Sequence, residues 1–155
     1  MKMPKNCINI LIVGLDNNFC AGVAETLSEH LQMHFATCES IISYYVQERE
    51  LILEKVGLEY LKKREKSAIK ECSNYCDCVL SIGYDLFKHH YSVFKNSIIC
   101  YIKLRLENVS DTQNKIMFKQ RDEFLTNYSH LQFTPTRKDK RTVCKNIIEK
   151  LGEIL

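Results

Sequence analysis

The sequence predicts an α/β fold in which helices cover both faces of a parallel sheet. Three observations predict it. Residues 8–13 form a short apolar run that Gly14 breaks, and a helical pattern follows at once. Cys78–Ile82 and residues 97–102 are similar runs, the right length for strands buried on both faces. Between such runs, apolar residues recur at three- and four-residue spacing, so strands and helices alternate.

Each element has its own warrant. After the first strand and Gly14, a helix presents Val23, Ala24, Leu27 and Leu31 on one face. His34–Thr37 reads as a short second strand, followed by a helical pattern through Ile41, Ile42, Tyr45 and Val46 that resumes after a break over residues 48–55. Gly57 opens another helix, 58–72. Its Leu61, Glu65, Ala68, Ile69 and Cys72 share one side, and Lys62, Lys63, Arg64, Lys66 and Lys70 lie largely on the other. Cys78–Ile82 ends at Gly83, and a short amphipathic segment, 86–94, leads to the strand at 97–102. Residues 115–128 read as helix and Leu131–Phe133 as a short strand. Pro135 separates that strand from a last helix, 138–155, whose stripe is Val143, Ile147, Ile148, Leu151 and Leu155. No repeat, low-complexity tract or linker interrupts residues 1–155, so one domain is expected.

Composition bounds the function. A chain of 155 residues can bury one large core, and 45% apolar with 26% charged residues is the balance of a soluble globular protein. A formal charge of +3 is too mild to imply nucleic-acid binding. Of the eight cysteines, Cys7, Cys78, Cys100 and Cys144 lie in or beside apolar runs, where a thiol behaves as a small hydrophobe. Residues 1–6 are basic, but the apolar run after them is too short for a secretory signal and contains Asn9, so a reducing cytoplasm is expected. No stretch approaches the roughly 18 apolar residues of a membrane span.

The first strand, the Gly-started turn and the helix after it form the setting in which a loop cradles phosphate, because backbone N–H groups and a helix N-terminus together attract an anion. A working loop reads G-x-x-x-x-G-K-[ST], in which Lys reaches the β/γ-phosphates and the hydroxyl holds Mg²⁺. Counted from Gly14, those last three places hold Phe19, Cys20 and Ala21. Gly22 does not restore the motif, since Val23 and Ala24 follow it. Asp16 adds a negative charge where a triphosphate would sit.

In order, NILIVG at 9–14, GLEYLKKRE at 57–65, VLSIG at 79–83, IICYIKL at 98–104 and RDEFLTNY at 121–128 resemble a strongly diverged member of the shikimate kinase family, over nearly the whole chain. The resemblance implies a P-loop, nucleoside-monophosphate-kinase-like fold, a three-layer α/β/α arrangement around a five-stranded parallel sheet. It also implies ATP at the P-loop and shikimate at a small helical subdomain, here about residues 37–75. Carried over by position, Thr37 stands where the family has an Asp that assists Mg²⁺, and Glu39 where a second Asp binds substrate hydroxyls. Lys62 replaces the Arg that takes the substrate carboxylate, a point charge in place of a fork. Glu65 is retained. Gly83 is the first of a run of three glycines, followed here by Tyr84 and Asp85. Arg121 matches the Arg of an Arg-x-x-x-Tyr element, with Leu125 at the Tyr place and Tyr128 one turn later. The lid, about residues 105–118, is shortened and has no Arg-rich sequence.

The resemblance therefore assigns Glu39, Lys62, Glu65, Gly83 and Arg121 to substrate binding, and leaves Gly14 to open a degenerate cofactor loop reaching Gly22. No catalytic residue, metal ligand or cofactor is expected. Each candidate also has a plainer reading. Arg121 and Lys62 can be solvated charges, and Glu39 can flank the first turn of its helix. Asp85 as a base lacks a positioned phosphoryl donor. Cys20 is either a thiol activated at a helix start or a thiol buried against the sheet. Cys72, Cys76 and Cys78 form C-x₃-C-x-C, which is not a standard zinc spacing and would need a further ligand such as His89 or His90. The adjacent pair His89-His90 diverges on a helix, and His30 and His34 share a face only if the helix continues past Gln32.

Three functions follow. The first is a catalytically degenerate shikimate-kinase-like protein that binds a small anionic, shikimate-like ligand or a protein partner, with no nucleic acid and no membrane. The second is an active shikimate or related small-molecule kinase with an atypical ATP site, needing ATP and Mg²⁺. The third is a thiol redox or metal-responsive protein built on Cys72, Cys76 and Cys78.

Overall fold

In a computed structural model, which describes residues 8–45, 49–103 and 112–154, the five apolar runs become one five-stranded sheet. The strands are β1 (Asn9–Gly14), β2 (His34–Thr37), β3 (Cys78–Ile82), β4 (Ile98–Ile102) and β5 (Leu131–Phe133). Their order is β2-β3-β1-β4-β5, and every pairing is parallel. The helices are α1 (Asn17–Leu31), α2 (Cys38–Tyr45), α3 (Arg49–Lys55), α4 (Leu58–Ser73), α5 (Tyr84–His90), α6 (Thr112–Tyr128) and α7 (Lys140–Ile154).

Central parallel strands are covered on both faces, which is why β1 and β3 are apolar without alternation and buried along their whole length. Leu11 and Val13 point to one face, where Ile41 and Ile42 of α2, Leu61 and Ile69 of α4, Phe87 of α5 and Leu125 of α6 close over them. Ile10 and Ile12 point to the other, against Val23 and Leu27 of α1 and Val143 and Ile147 of α7. Each such buried side chain contributes on the order of 1.5–3 kcal/mol. Asn9, the polar residue inside β1, is buried and satisfied: its Nδ2 donates to the Tyr75 carbonyl, and its Oδ1 accepts from the Cys78 N–H at 3.1 Å. It thereby ties the start of β1 to the turn that launches β3.

The strand expectations hold to within a residue at each end. Helix ends follow local chemistry. Asp16 caps α1, which ends where Gln32 turns left-handed and Met33 N–H bonds the Ser28 carbonyl. The segment expected at 86–94 divides into α5 and a 3-10 turn, Tyr91–Phe94. The tighter winding draws the chain toward β4, with Ser97 N–H on the Phe94 carbonyl and both Phe87 and Phe94 buried. The last helix starts at Lys140 instead of 138, because Asp139 accepts from the Arg141 N–H and the Thr142 hydroxyl and so stands before the first turn. Val46 and Leu155 lie outside the described residues. So does the first half of the expected lid, 105–111, and from Thr112 the chain is already α6. Among the described residues no helix is long and apolar enough to cross a membrane.

Candidate functional site

In an open parallel sheet, ligands bind beyond the C-terminal strand ends, where neighbouring strands send their connections to opposite faces. β1 leads into α1 on one face and the adjacent β3 into α5 on the other, so the crevice lies between the ends of these two strands. Glu39, at the start of α2, reaches across it: its Oε1 accepts from the Gly83 N–H at 2.6 Å. Asn17 closes in from α1, and a Cβ built on Gly83 would lie 3.0 Å from Glu39 Oε1 and 3.1 Å from Asn17 Nδ2. A side chain here would press on both, and they would have to give by a few tenths of an ångström. Next in sequence, Tyr84 receives the Arg121 guanidinium over its ring, 4.9 Å from the centroid.

Glu39, Gly83 and Arg121 are therefore brought to one mouth, Arg121 by way of the Tyr84 ring. Lys62 is not joined to that group by any described contact. Lys62 is exposed on α4, and Glu65 is half-buried one turn later, near enough to His90 to oppose the lowering of its pKa by burial. Thr37 is spent on α2: its Oγ1 accepts from the Ser40 N–H at 3.1 Å, the position of an N-cap. Asp85 is exposed in the first turn of α5.

The β1–α1 turn is short. Only Leu15 and Asp16 separate strand from helix, so Phe19, Cys20 and Ala21 already belong to α1, with Phe19 and Cys20 buried beneath it. Asp16 Oδ1 accepts from the Phe19 N–H at 3.1 Å, and Asp16 Oδ2 meets Lys138 Nζ at 2.5 Å. The bond from Lys138, with the helix N–H groups, holds the Asp16 carboxyl below the usual range. Burial and then the Asp16 charge push the Cys20 thiol up to about 12, so it is a buried thiol and not an activated one. Gly14 is fixed by the neighbouring strand, since a Cβ there would lie 2.7 Å from the Ile102 carbonyl oxygen.

A second polar group sits beyond β4. The Tyr101 hydroxyl donates to Asp122 Oδ1 at 2.8 Å, and Asp122 Oδ2 pairs with Lys103 at 3.2 Å. Burial, then the bond to Asp122, raises the Tyr101 pKa, so the phenol stays protonated. Sequence reasoning missed Asn17, Tyr101, Lys103, Asp122 and Lys138. Lys103, directly after an apolar run, is the one that the pattern could have flagged. Lys138 meets a residue 122 positions away and leaves no local signal.

Cys72, Cys76 and Cys78 do not present three free thiols. Cys72 and Cys78 are buried and free, while Cys76 is disulfide-bonded. Cys72 lies instead against Cys38, and their contact together with burial pushes the Cys38 thiol up. Among the described residues no three His, Cys, Asp or Glu side chains are placed to hold a metal. His89 and His90 have ring centroids 6.5 Å apart, and the left-handed Gln32 ends α1 between His30 and His34.

The family model described as shikimate kinase matches residues 21–115, beginning within α1. Among curated proteins none matches by sequence. Among solved structures, the shikimate kinase from Acinetobacter baumannii in complex with shikimate is similar with a TM-score of 0.73 and 18% identity, covering 96% of this chain and 95% of that one. The shikimate kinase from Aquifex aeolicus vf5 is similar with a TM-score of 0.68 and 20% identity, over 94% and 97%. A third, from Bacteroides thetaiotaomicron, has a TM-score of 0.58 and 13% identity, over 95% and 97%.

Proposed function

We propose a function from the premise that this chain belongs to the shikimate kinase family: it is a catalytically degenerate member that binds a small anionic ligand without transferring phosphate. The observation that carries this reading is the inside of the β1–α1 turn. At the N-terminus of α1, where a phosphate would lie, Asp16 already occupies the Phe19 N–H and the Lys138 ammonium. An incoming phosphate would have to displace a paired carboxylate. The residues present do not fit a nucleoside triphosphate with its Mg²⁺. Phe19 and Cys20 are buried, Ala21 has no hydroxyl, and Thr37 caps α2.

The other side of the crevice keeps its polar groups. Arg121 offers a planar fork to a carboxylate, and Glu39, exposed and held through Oε1 by the Gly83 N–H, offers its other carboxylate oxygen to hydroxyls. The Acinetobacter baumannii relative is a complex with shikimate, which makes shikimate the first ligand to test. Cytoplasmic placement is part of the proposal, supported by six buried cysteines that are free thiols and weighed against by the disulfide at Cys76.

A second reading, an active kinase with an atypical ATP site, draws on Lys138, which delivers a cation to the turn from the far end of the chain. Phosphoryl transfer from ATP to shikimate, with thermal shifts alongside, separates the two. The expected outcome is no turnover, a melting temperature raised by shikimate and unmoved by Mg·ATP. A Cys20→Lys, Ala21→Ser variant stays inactive as well, because Phe19 and Thr37 are unrepaired. Turnover abolished by Lys138→Ala, or a Mg·ATP-dependent rise in melting temperature, would establish the second reading instead.

A further inference from the structure

We propose that His130 is a proton-operated latch on the edge of the sheet: with a neutral ring it holds β5 against β4, and with a protonated ring it lets β5 go. In a parallel ladder, bonds to the neighbouring strand recur at even spacing, every second residue. At the far end of the β4–β5 pair, Lys103 N–H takes the Phe133 carbonyl at 2.7 Å. Counting back by twos, Ile99 N–H would take the carbonyl of residue 129. No strand is there to offer it, because α6 ends at Tyr128 and β5 begins at Leu131, and Gln132 Nε2 approaches the Ser129 carbonyl instead, at 3.5 Å. The His130 ring takes that place. Its Nδ1 accepts from the Ile99 N–H at 2.9 Å, while the His130 N–H donates to the Ile99 carbonyl at 2.8 Å.

A ring that accepts at Nδ1 carries its proton on Nε2 and is neutral. A second proton lands on Nδ1 itself, and one N–H then faces another. The bond is therefore complete while the ring is neutral and is lost as pH falls and the ring takes its proton. His130 is exposed, so solvent protons reach it. Among the described residues, the titratable groups that line the hollow beside it are Tyr91 of the 3-10 turn, Lys95 just after that turn and Tyr128 at the end of α6, while β4 presents Ile99. None is a carboxylate, so the imidazolium gains no ion pair there in exchange for the lost bond. β5 is three residues long, and one rung is a large share of what holds it. From β5 the chain runs to Lys138, whose Nζ meets Asp16 in the β1–α1 turn. Release at this edge loosens that partner of Asp16 and so links acid to the crevice.

Amide hydrogen exchange, followed by NMR on the full chain at about pH 8 and about pH 5 and corrected for the intrinsic effect of pH, tests the latch. Protection of the Ile99, His130 and Lys103 amides should fall about fivefold or more in acid, while the Leu11 and Leu80 amides of the central strands keep theirs. His130→Asn places an oxygen that takes no proton where Nδ1 stands, so its protection should be the same at both pH values. His130→Phe has no acceptor, and at about pH 8 should be as weakly protected at these amides as wild type is at about pH 5. Nitrogen chemical shifts of the wild-type ring at about pH 8 should report the proton on Nε2. Unchanged protection in acid, an equal fall at Leu11 and Leu80, a loss confined to Ile99, the same fall in His130→Asn, full protection in His130→Phe, or a proton on Nδ1 at about pH 8 overturns the proposal.

Discussion

Asp16 is the residue on which the reading of the crevice turns. Asp16→Ala removes a helix cap and an ion pair and should cost about 1–2 kcal/mol in urea unfolding, whereas Asp16→Asn keeps the cap and should cost under about 1 kcal/mol, since Lys138 is largely exposed. The pH dependence follows from the sign of the shift. The folded carboxyl titrates below the unfolded value of 3.8, so its contribution is complete above that value and disappears as pH falls through the folded pKa. The gap in stability between wild type and Asp16→Ala should therefore be constant near neutrality and close in acid; a gap that widens in acid would remove the pairing. Cys20, with its thiol pushed up to about 12, should resist iodoacetamide at pH 8 until the chain unfolds. Much of this was legible in the sequence, because Phe19, Cys20 and Ala21 stand in a counted motif and Asp16 lies inside it. What was not legible is what balances Asp16, since a lysine in a charged approach to α7 reads as solvated until the fold brings β5 beside β4 and the ends of the sheet together.

At the level of elements, strands were easier to read than helix junctions. A strand buried on both faces announces itself as an uninterrupted apolar run, as residues 10–13 and Cys78–Ile82 do. The end of a helix depends on one cap or one carbonyl, and Asp139 and Gln32 moved or set such ends. The crevice wall is a junction of this kind. Glu39 joins α2 to the N-terminus of α5 through Gly83, so Glu39→Ala should cost about 1 kcal/mol and also loosen ligand binding, while Glu39→Gln, which still accepts from Gly83, should retain most of the stability. Loss of binding with unchanged stability in Glu39→Ala would show that the bond to Gly83 contributes little. Beside it, Phe124 of α6 packs edge-on against Tyr84 at 6.1 Å and Phe87 at 6.1 Å, holding the face on which Arg121 lies. Phe124→Ala should lower stability by about 2–3 kcal/mol, less than a fully buried phenylalanine, and weaken ligand binding because Tyr84 is released.

Over the whole molecule, β1, β3 and β4 each face both cores, and that makes a claim about cooperativity. Leu11 and Ile12 are adjacent and both fully buried, yet Leu11 faces the core under α2, α4, α5 and α6, and Ile12 the core under α1 and α7. If the two cores were independent units, a cavity in one would leave the other's melting untouched. Because the same three strands carry both, and their register aligns the crevice, losing either core should release the other. Leu11→Ala and Ile12→Ala should each cost about 2–5 kcal/mol, and each variant should still unfold in one transition. Exposure of Cys38 and Cys72 on one face, and of Cys20, Cys100 and Cys144 on the other, supplies two probes of the same event. Their reactivity should rise at one urea concentration and coincide with the loss of helical signal. Two separated thiol transitions would mean that α1 and α7 fold as a unit apart from the rest, and the chain would no longer be the one domain that its uninterrupted sequence predicts.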